Sequence, residues 1–207
     1  MPLAMNASFS QQLLLERACF AVAANGVVCA PAAGGLYWTA LACLAPLVDT
    51  QLWCFIAFVG SGLIFPLALA LQKPLRANMQ IRGNPLGGAG AYAFANMALC
   101  WAITIPAFHT DPQLVPLALG IGMSLHLVGT AWAMNLKSYL YHPLLRAAIV
   151  VALWYALPEQ RFLAISIAVA AVYFLTIPAV LREVAAHRRA TYPPKNPAPR
   201  TQHPEPI

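Results

Sequence analysis

His126 lies in an apolar stretch, 113 to 134, that holds no Asp, Glu, Lys or Arg. A helix over this stretch puts the imidazole near the middle of a bilayer, where an ionisable group is by default a functional hypothesis. One neutral ring carries both a donor and an acceptor. It can therefore bond a neighbouring helix, bind a solute, relay a proton or act as an acid or base. Gly122, Gly129 and Ala133 recur at helical spacing from His126 and place it on a small-residue face that packs on other helices, with Thr130 one turn on. No metal is implied, because no second His, Cys or carboxylate stands at ligand spacing from it.

Three more polar groups lie inside apolar runs. Asn96 shares a helical stripe with Tyr92, Leu99 and Ile103, and Asn25 sits in the first apolar run. An amide at such depth needs partners at both ends, from another helix or from a solute. Ser61 stands between Gly60 and Gly62, with Pro66 one turn on. That segment either kinks mildly in close packing or unwinds and turns its carbonyls toward a cavity, as broken transporter helices do. His126, Asn96, Asn25, Ser61 and Thr130 form the candidate interior site.

A second set is cationic. Lys73, Arg76, Arg82, Lys137, His142 and Arg146 lie beside the apolar runs and read as contacts to anionic lipid headgroups. His142 and Arg146, one turn apart next to Pro143, are placed to hold a headgroup or an anionic solute at the inner face, with the arginine snorkelling toward water.

Several chemistries are disfavoured. The apolar runs contain no Asp or Glu, which argues against carboxylate hydrolysis and against ion coupling through a buried carboxylate. The run from Gly83 to Gly90 lacks the preceding strand and the Lys-Ser/Thr of a phosphate loop. The net charge of +6 is carried in connections, which fits lipid headgroups and not nucleic acid. No cofactor is implied. The five cysteines read as small apolar packing groups. Cys43 and Cys54 flank a short connection at similar depth, a placement a disulfide could use.

The elements that must hold these residues follow from composition. Hydrophobic residues make up 60% of the 207-residue chain and charged ones 9%, against about 25% charged in soluble domains. Runs of about 20 apolar residues suit bilayer crossings. They predict helices near 22–47, 51–71, 89–108, 113–134, 139–157 and 161–181, the first bending near Pro31. The expected architecture is all-α: an integral membrane protein with six transmembrane helices in one domain, 18–186. A polar segment, 1–17, precedes it, and a basic Pro-rich tail, 187–207, is expected to be disordered. With no Lys or Arg before Glu16 and Arg17, the first run reads as a retained helix and not as a signal peptide. The Thr-Ile-Pro-Ala sequences at 104–107 and 176–179 are too short to establish an inverted repeat.

Cations gather at one set of ends: Arg17, the loop with Lys73, Arg76 and Arg82, then Lys137, Arg146 and the tail. The other set has only Arg161. By the positive-inside rule both termini are cytoplasmic, and a bacterial inner membrane is the expected location.

The order Gly62-Leu-Ile-Phe-Pro66, Asn84-Pro85-Leu86-Gly87 after a basic loop, then His126 with Trp132, Lys137, Ser138 and Tyr139 resembles a family of small bacterial multi-pass membrane proteins classed as a domain of unknown function. The resemblance covers roughly residues 30 to 181, is loose at Pro31 to Gly35, and implies no activity. Three readings stay open. The chain is a permease-like protein for an uncharged or weakly charged solute, a non-catalytic structural or interaction protein, or an intramembrane enzyme using His126. The bilayer is the one partner implied, beside a small solute in the first reading; oligomeric state is not legible.

Overall fold

Proline, glycine and short polar breaks divide the apolar runs, and the helices start and stop at them. The computed structural model describes residues 2–81 and 83–191, and every element of regular structure among them is helical. In chain order these are α1 (Pro2–Ala24), α2 (Cys29–Leu44), α3 (Thr50–Ser61), α4 (Ile64–Leu71), α5 (Ala89–Thr110), α6 (Leu114–Gly122), α7 (His126–Met134), α8 (Lys137–Ala156) and α9 (Arg161–Thr191). All six expected helical regions are found, but several are broken.

The first run breaks at Asn25–Val27 and not at Pro31. Asn25, Gly26 and Val27 all have positive φ (48°, 61° and 52°), a region unusual for the β-branched Val27. Pro31 falls in the first turn of α2, where a missing N–H costs nothing. The second run breaks after Ser61, and α3 and α4 are bent by 50°, well beyond a mild kink. The fourth run breaks between Gly122 and His126, so His126 opens α7 and is not mid-helix.

Three helical stretches are long and apolar enough to cross a membrane: Ser8–Leu44, Leu114–Met134 and Pro158–Thr191. The bent pair α3 and α4 makes a fourth when taken as one span. The expectation of six is therefore met only in part. Helix α8 has the length, but Lys137, His142 and Arg146 lower its apolarity. The C-terminal expectation is also corrected, because 187–191 is helix. Alanines 185, 186 and 190 favour helix, and Arg188 and Arg189 suit the negative end of its dipole. Residues 192–207 and Arg82 lie outside the described residues.

Helix α8 shows which way these helices face. Tyr139, His142, Pro143, Arg146 and Val150 are buried on one stripe, while Leu140, Leu144, Leu145 and Val151 are exposed. Polar groups inside and leucines outside is the arrangement expected of a helix covered by lipid. Helices α2 and α9 pack closely because α2 offers small residues. A Cβ on Gly34 would stand 2.7 Å from the Tyr173 ring, and one on Gly35 would stand 2.8 Å from Phe174.

Two cores result. One is built around Trp38, Trp53, Leu119, Val150, Ile165 and Tyr173. The other is built around Phe20, Val28, Leu127, Met134, Tyr139 and Val180. Polar contacts tie each end of the bundle. At the cation-rich end the Glu183 carboxylate accepts from the Lys137 and Ser138 amides (2.7 and 2.9 Å), capping α8, which has no capping side chain of its own. Asn25 donates to the Leu75 carbonyl (3.1 Å) and His187 to that of Asn135 (3.0 Å). At the opposite end Trp53 donates to the Leu41 carbonyl (3.0 Å) and Arg161 to that of Trp154 (2.8 Å).

Candidate functional site

A cavity of about 140 Å³ lies where the two cores meet. Its walls include Phe20, Ile64, Met123, Leu127 and Met134, with His126, Thr130 and the tyrosines Tyr139 and Tyr173 among them. The helix breaks create it: α4 turns away from α3, and the turn ahead of α7 sets His126 at a helix start. The Met123 carbonyl lies beside the ring, but the buried Nδ1 is outside hydrogen-bonding geometry. The Thr130 hydroxyl donates back to the His126 carbonyl (3.2 Å).

Of the five interior candidates, only His126 and Thr130 come together at this cavity. Asn25 anchors the loop after α4, as above. Ser61 is buried, donates to the Phe58 carbonyl (2.7 Å) and accepts from Trp101 Nε1 (3.1 Å). Both act as ties between segments. Asn96 is exposed on α5, away from any interior site. Gly129 does not share a packed face with His126, since nothing lies within 4 Å of its Cβ position. All five cysteines are free, and the Cys54 thiol donates to the Pro112 carbonyl (3.3 Å).

The cationic set divides. Lys73, Arg76 and Lys137 are exposed at one end, as a headgroup contact requires. His142 and Arg146 are not, with 2% and 0% of their surface exposed. Helix α8 starts at Lys137 and runs for 20 residues, so Arg146 stands about 14 Å along its axis, near the middle of the helix. On the inward stripe its side chain runs into protein and cannot snorkel.

Around Arg146 the bundle builds an aromatic clamp. The guanidinium carbon lies 5.3 Å from the Trp38 ring centroid and 4.8 Å from that of Tyr173. Nη2 donates to the Leu119 carbonyl at 3.4 Å, while Nε and Nη1 are buried without a hydrogen-bond partner. No carboxylate pairs with it among the described residues. Those present are engaged elsewhere or exposed: Glu16 meets Asn84, Asp49 and Asp111 bond turn amides, Glu183 caps α8, and Glu159 is exposed. Two desolvated cation–π contacts contribute about 2 kcal/mol each. Burying an unpaired ion costs several kcal/mol even after relaxation. The rings reduce that cost without providing the acceptors that the N–H groups need.

His142, one turn before Arg146, packs against the Tyr173 ring, with centroids 4.7 Å apart. The Thr176 hydroxyl donates to the Val172 carbonyl (2.7 Å), so it accepts from His142 Nδ1 (2.8 Å). That fixes the tautomer and leaves the buried, unpartnered Nε2 as an acceptor. Trp38 Nε1 is likewise buried without a partner. Arg146 is near enough to His126 and His142 to act on both electrostatically. Tyr173 joins the centres, since it lines the cavity and lies against Arg146.

Sequence reasoning missed Trp38 and Tyr173 and misplaced Arg146 in depth. The missing signal was a count at 1.5 Å per residue from Lys137, with the stripe Tyr139, His142, Arg146, Val150. Among the described residues no cluster of His, Cys, Asp or Glu could hold a metal.

Comparison with curated proteins and with solved structures gives no match. A family pattern covers residues 15–183, taking in α2 to α8, both buried centres and nearly all of the loop contacts that tie the cation-rich end. The chain belongs to a family of unknown function, DUF7010.

Proposed function

We propose that this chain is an integral protein of a bacterial inner membrane that crosses six times with both termini cytoplasmic, and that it is a small permease-like protein binding a small solute at the His126 cavity. The apolar outer face of α8 and the gathering of Lys73, Arg76 and Lys137 at one end support the placement. The observation that carries the solute reading is the cavity itself: mostly apolar, at a junction of broken helices, with one buried imidazole nitrogen outside hydrogen-bonding geometry. A bundle held together only by packing would close such a space.

A cavity of this size accommodates a benzene ring, so benzyl alcohol is a suitable neutral probe. Its binding to the purified chain in detergent is read from intrinsic tryptophan fluorescence and thermal shift. The wild type should bind it, His126→Leu should bind several-fold more weakly, and Ala133→Phe, which fills the wall, should not bind. No binding by the wild type, or equal binding by all three, sinks the solute reading. Placement is tested by labelling single cysteines at positions 80, 111 and 159 in a Cys-free variant. Labelling of position 80 from outside reverses the orientation.

A further inference from the structure

The Arg146 centre carries chemistry that the solute reading of the His126 cavity does not use. Three N–H groups of a permanent cation, on Nε and Nη1, are buried without acceptors, and the Trp38 Nε1–H is a fourth. All belong to adjacent side chains, since the guanidinium lies over the Trp38 ring. The wall opposite is Tyr173, which also lines the cavity. The cluster thus has several donors and one permanent positive charge, with His142 Nε2 as an unused acceptor against the Tyr173 ring. A permanent cation with unused donors is complementary to an anion, and a guanidinium matches the planar geometry of a carboxylate.

We propose that Arg146 and Trp38 form an anion site for the carboxylate of a small organic acid whose apolar body occupies the His126 cavity, with Tyr173 at the border between them. This rests on the solute reading of the cavity and narrows the solute class to small monocarboxylates. The apolar walls exclude a polyanion, which would bring more charge than one arginine can neutralise. An inorganic anion would leave the cavity unfilled.

The test uses the full chain in detergent with three probes: benzoate, its neutral relative benzyl alcohol, and acetate, which has the carboxylate without the ring. The variants are Arg146→Met, Arg146→Lys and Trp38→Phe. Wild type should bind benzoate at least about tenfold more tightly than benzyl alcohol, the effect of charge-assisted hydrogen bonds made out of water. Arg146→Met should bring benzoate down to the level of benzyl alcohol and leave benzyl alcohol unchanged. Arg146→Lys, which keeps the charge but not the fork, should fall between them. Trp38→Phe, which keeps the ring and removes the N–H, should weaken benzoate alone, by a few-fold.

If benzoate and benzyl alcohol bind equally and Arg146→Met changes neither, the anion site is overturned and the neutral cavity stands. If acetate binds through Arg146 while the ring-bearing probes bind no better, the proposal of a carboxylate with an apolar body is overturned together with the cavity reading. If no probe binds the wild type, both readings fail. Because Arg146→Met removes a buried charge, the protein is expected to stay folded. A melting curve on each variant separates lost binding from lost structure.

Discussion

His126 is half-buried and Arg146 fully buried, both carry buried nitrogens without hydrogen-bond partners, and they meet burial in opposite ways. His126 faces open space and can shed its proton, so its burial demands little of its surroundings. Arg146 cannot become neutral, and the bundle has arranged two rings, a carbonyl and a glycine-packed helix around it. The difference separates a group tolerated by a cavity from a group for which a pocket was built. It also indicates where substitutions should matter. Changes around Arg146 should move stability in both directions, and changes at His126 should move binding alone.

The largest effect is expected at Arg146 itself. Replacing a buried charge by an apolar side chain of similar length is often neutral to stabilising, by about 1–4 kcal/mol. Methionine would lie against the same two rings and keep their contacts through sulfur. Arg146→Met should therefore raise stability in detergent, measured by thermal or SDS unfolding, with no ligand present. A loss of stability would mean that the cation–π clamp outweighs desolvation and that Arg146 is a structural residue.

Next in size is Gly34→Ala on α2. Its new Cβ would stand 2.7 Å from the Tyr173 ring, which must shift or push the helices apart. Overpacking of this kind costs about 1–3 kcal/mol. Since Tyr173 borders both centres, the variant should disturb cavity and clamp together. A variant as stable as the wild type would show the ring to be free to move.

The two centres also differ in how much of them the sequence reveals. His126 is singled out by an apolar run free of charged residues, and the structure sets it half-buried beside a cavity. Arg146 looked like an inner-face cation because Lys137 and His142 precede it in the same helix. Only the helix start at Lys137 and the register of the stripe turn it inward. Asn25 reads as an amide needing partners and Ser61 as part of a kinked or unwound segment, with no partner named for either. The partners, Leu75 and Trp101, come from segments about 40 to 50 positions away, which no local pattern discloses. The break at Asn25–Val27 was hidden for the same reason: Gly26 is buried where a Cβ would strike Val180 of α9, a contact between distant segments.

A smaller effect is expected at Thr176, whose hydroxyl accepts from His142 Nδ1. Thr176→Val keeps the shape and leaves that nitrogen without a partner. Polar contacts between membrane helices are worth about 0.6–2 kcal/mol, and the loss should fall in that range. Thr176→Ser, which restores the hydroxyl, should recover most of it. If valine costs nothing, His142 is not held by this bond and its tautomer is not fixed.

The smallest stability effect is expected at the most conspicuous residue. A histidine that ties helices together should cost about 0.6–2 kcal/mol when its bond is lost. Here the buried Nδ1 makes no such bond, and the side chain borders space on its other side. His126→Leu should therefore change unfolding stability by less than about 0.6 kcal/mol, the average worth of one interhelical bond. The same variant should weaken benzyl alcohol binding several-fold. A large loss of stability with unchanged binding would make His126 a tie between helices and leave Arg146 as the one centre of the bundle with a functional case. A stable variant that no longer binds would establish that the cavity, and not the packing, is the reason for a histidine at this depth.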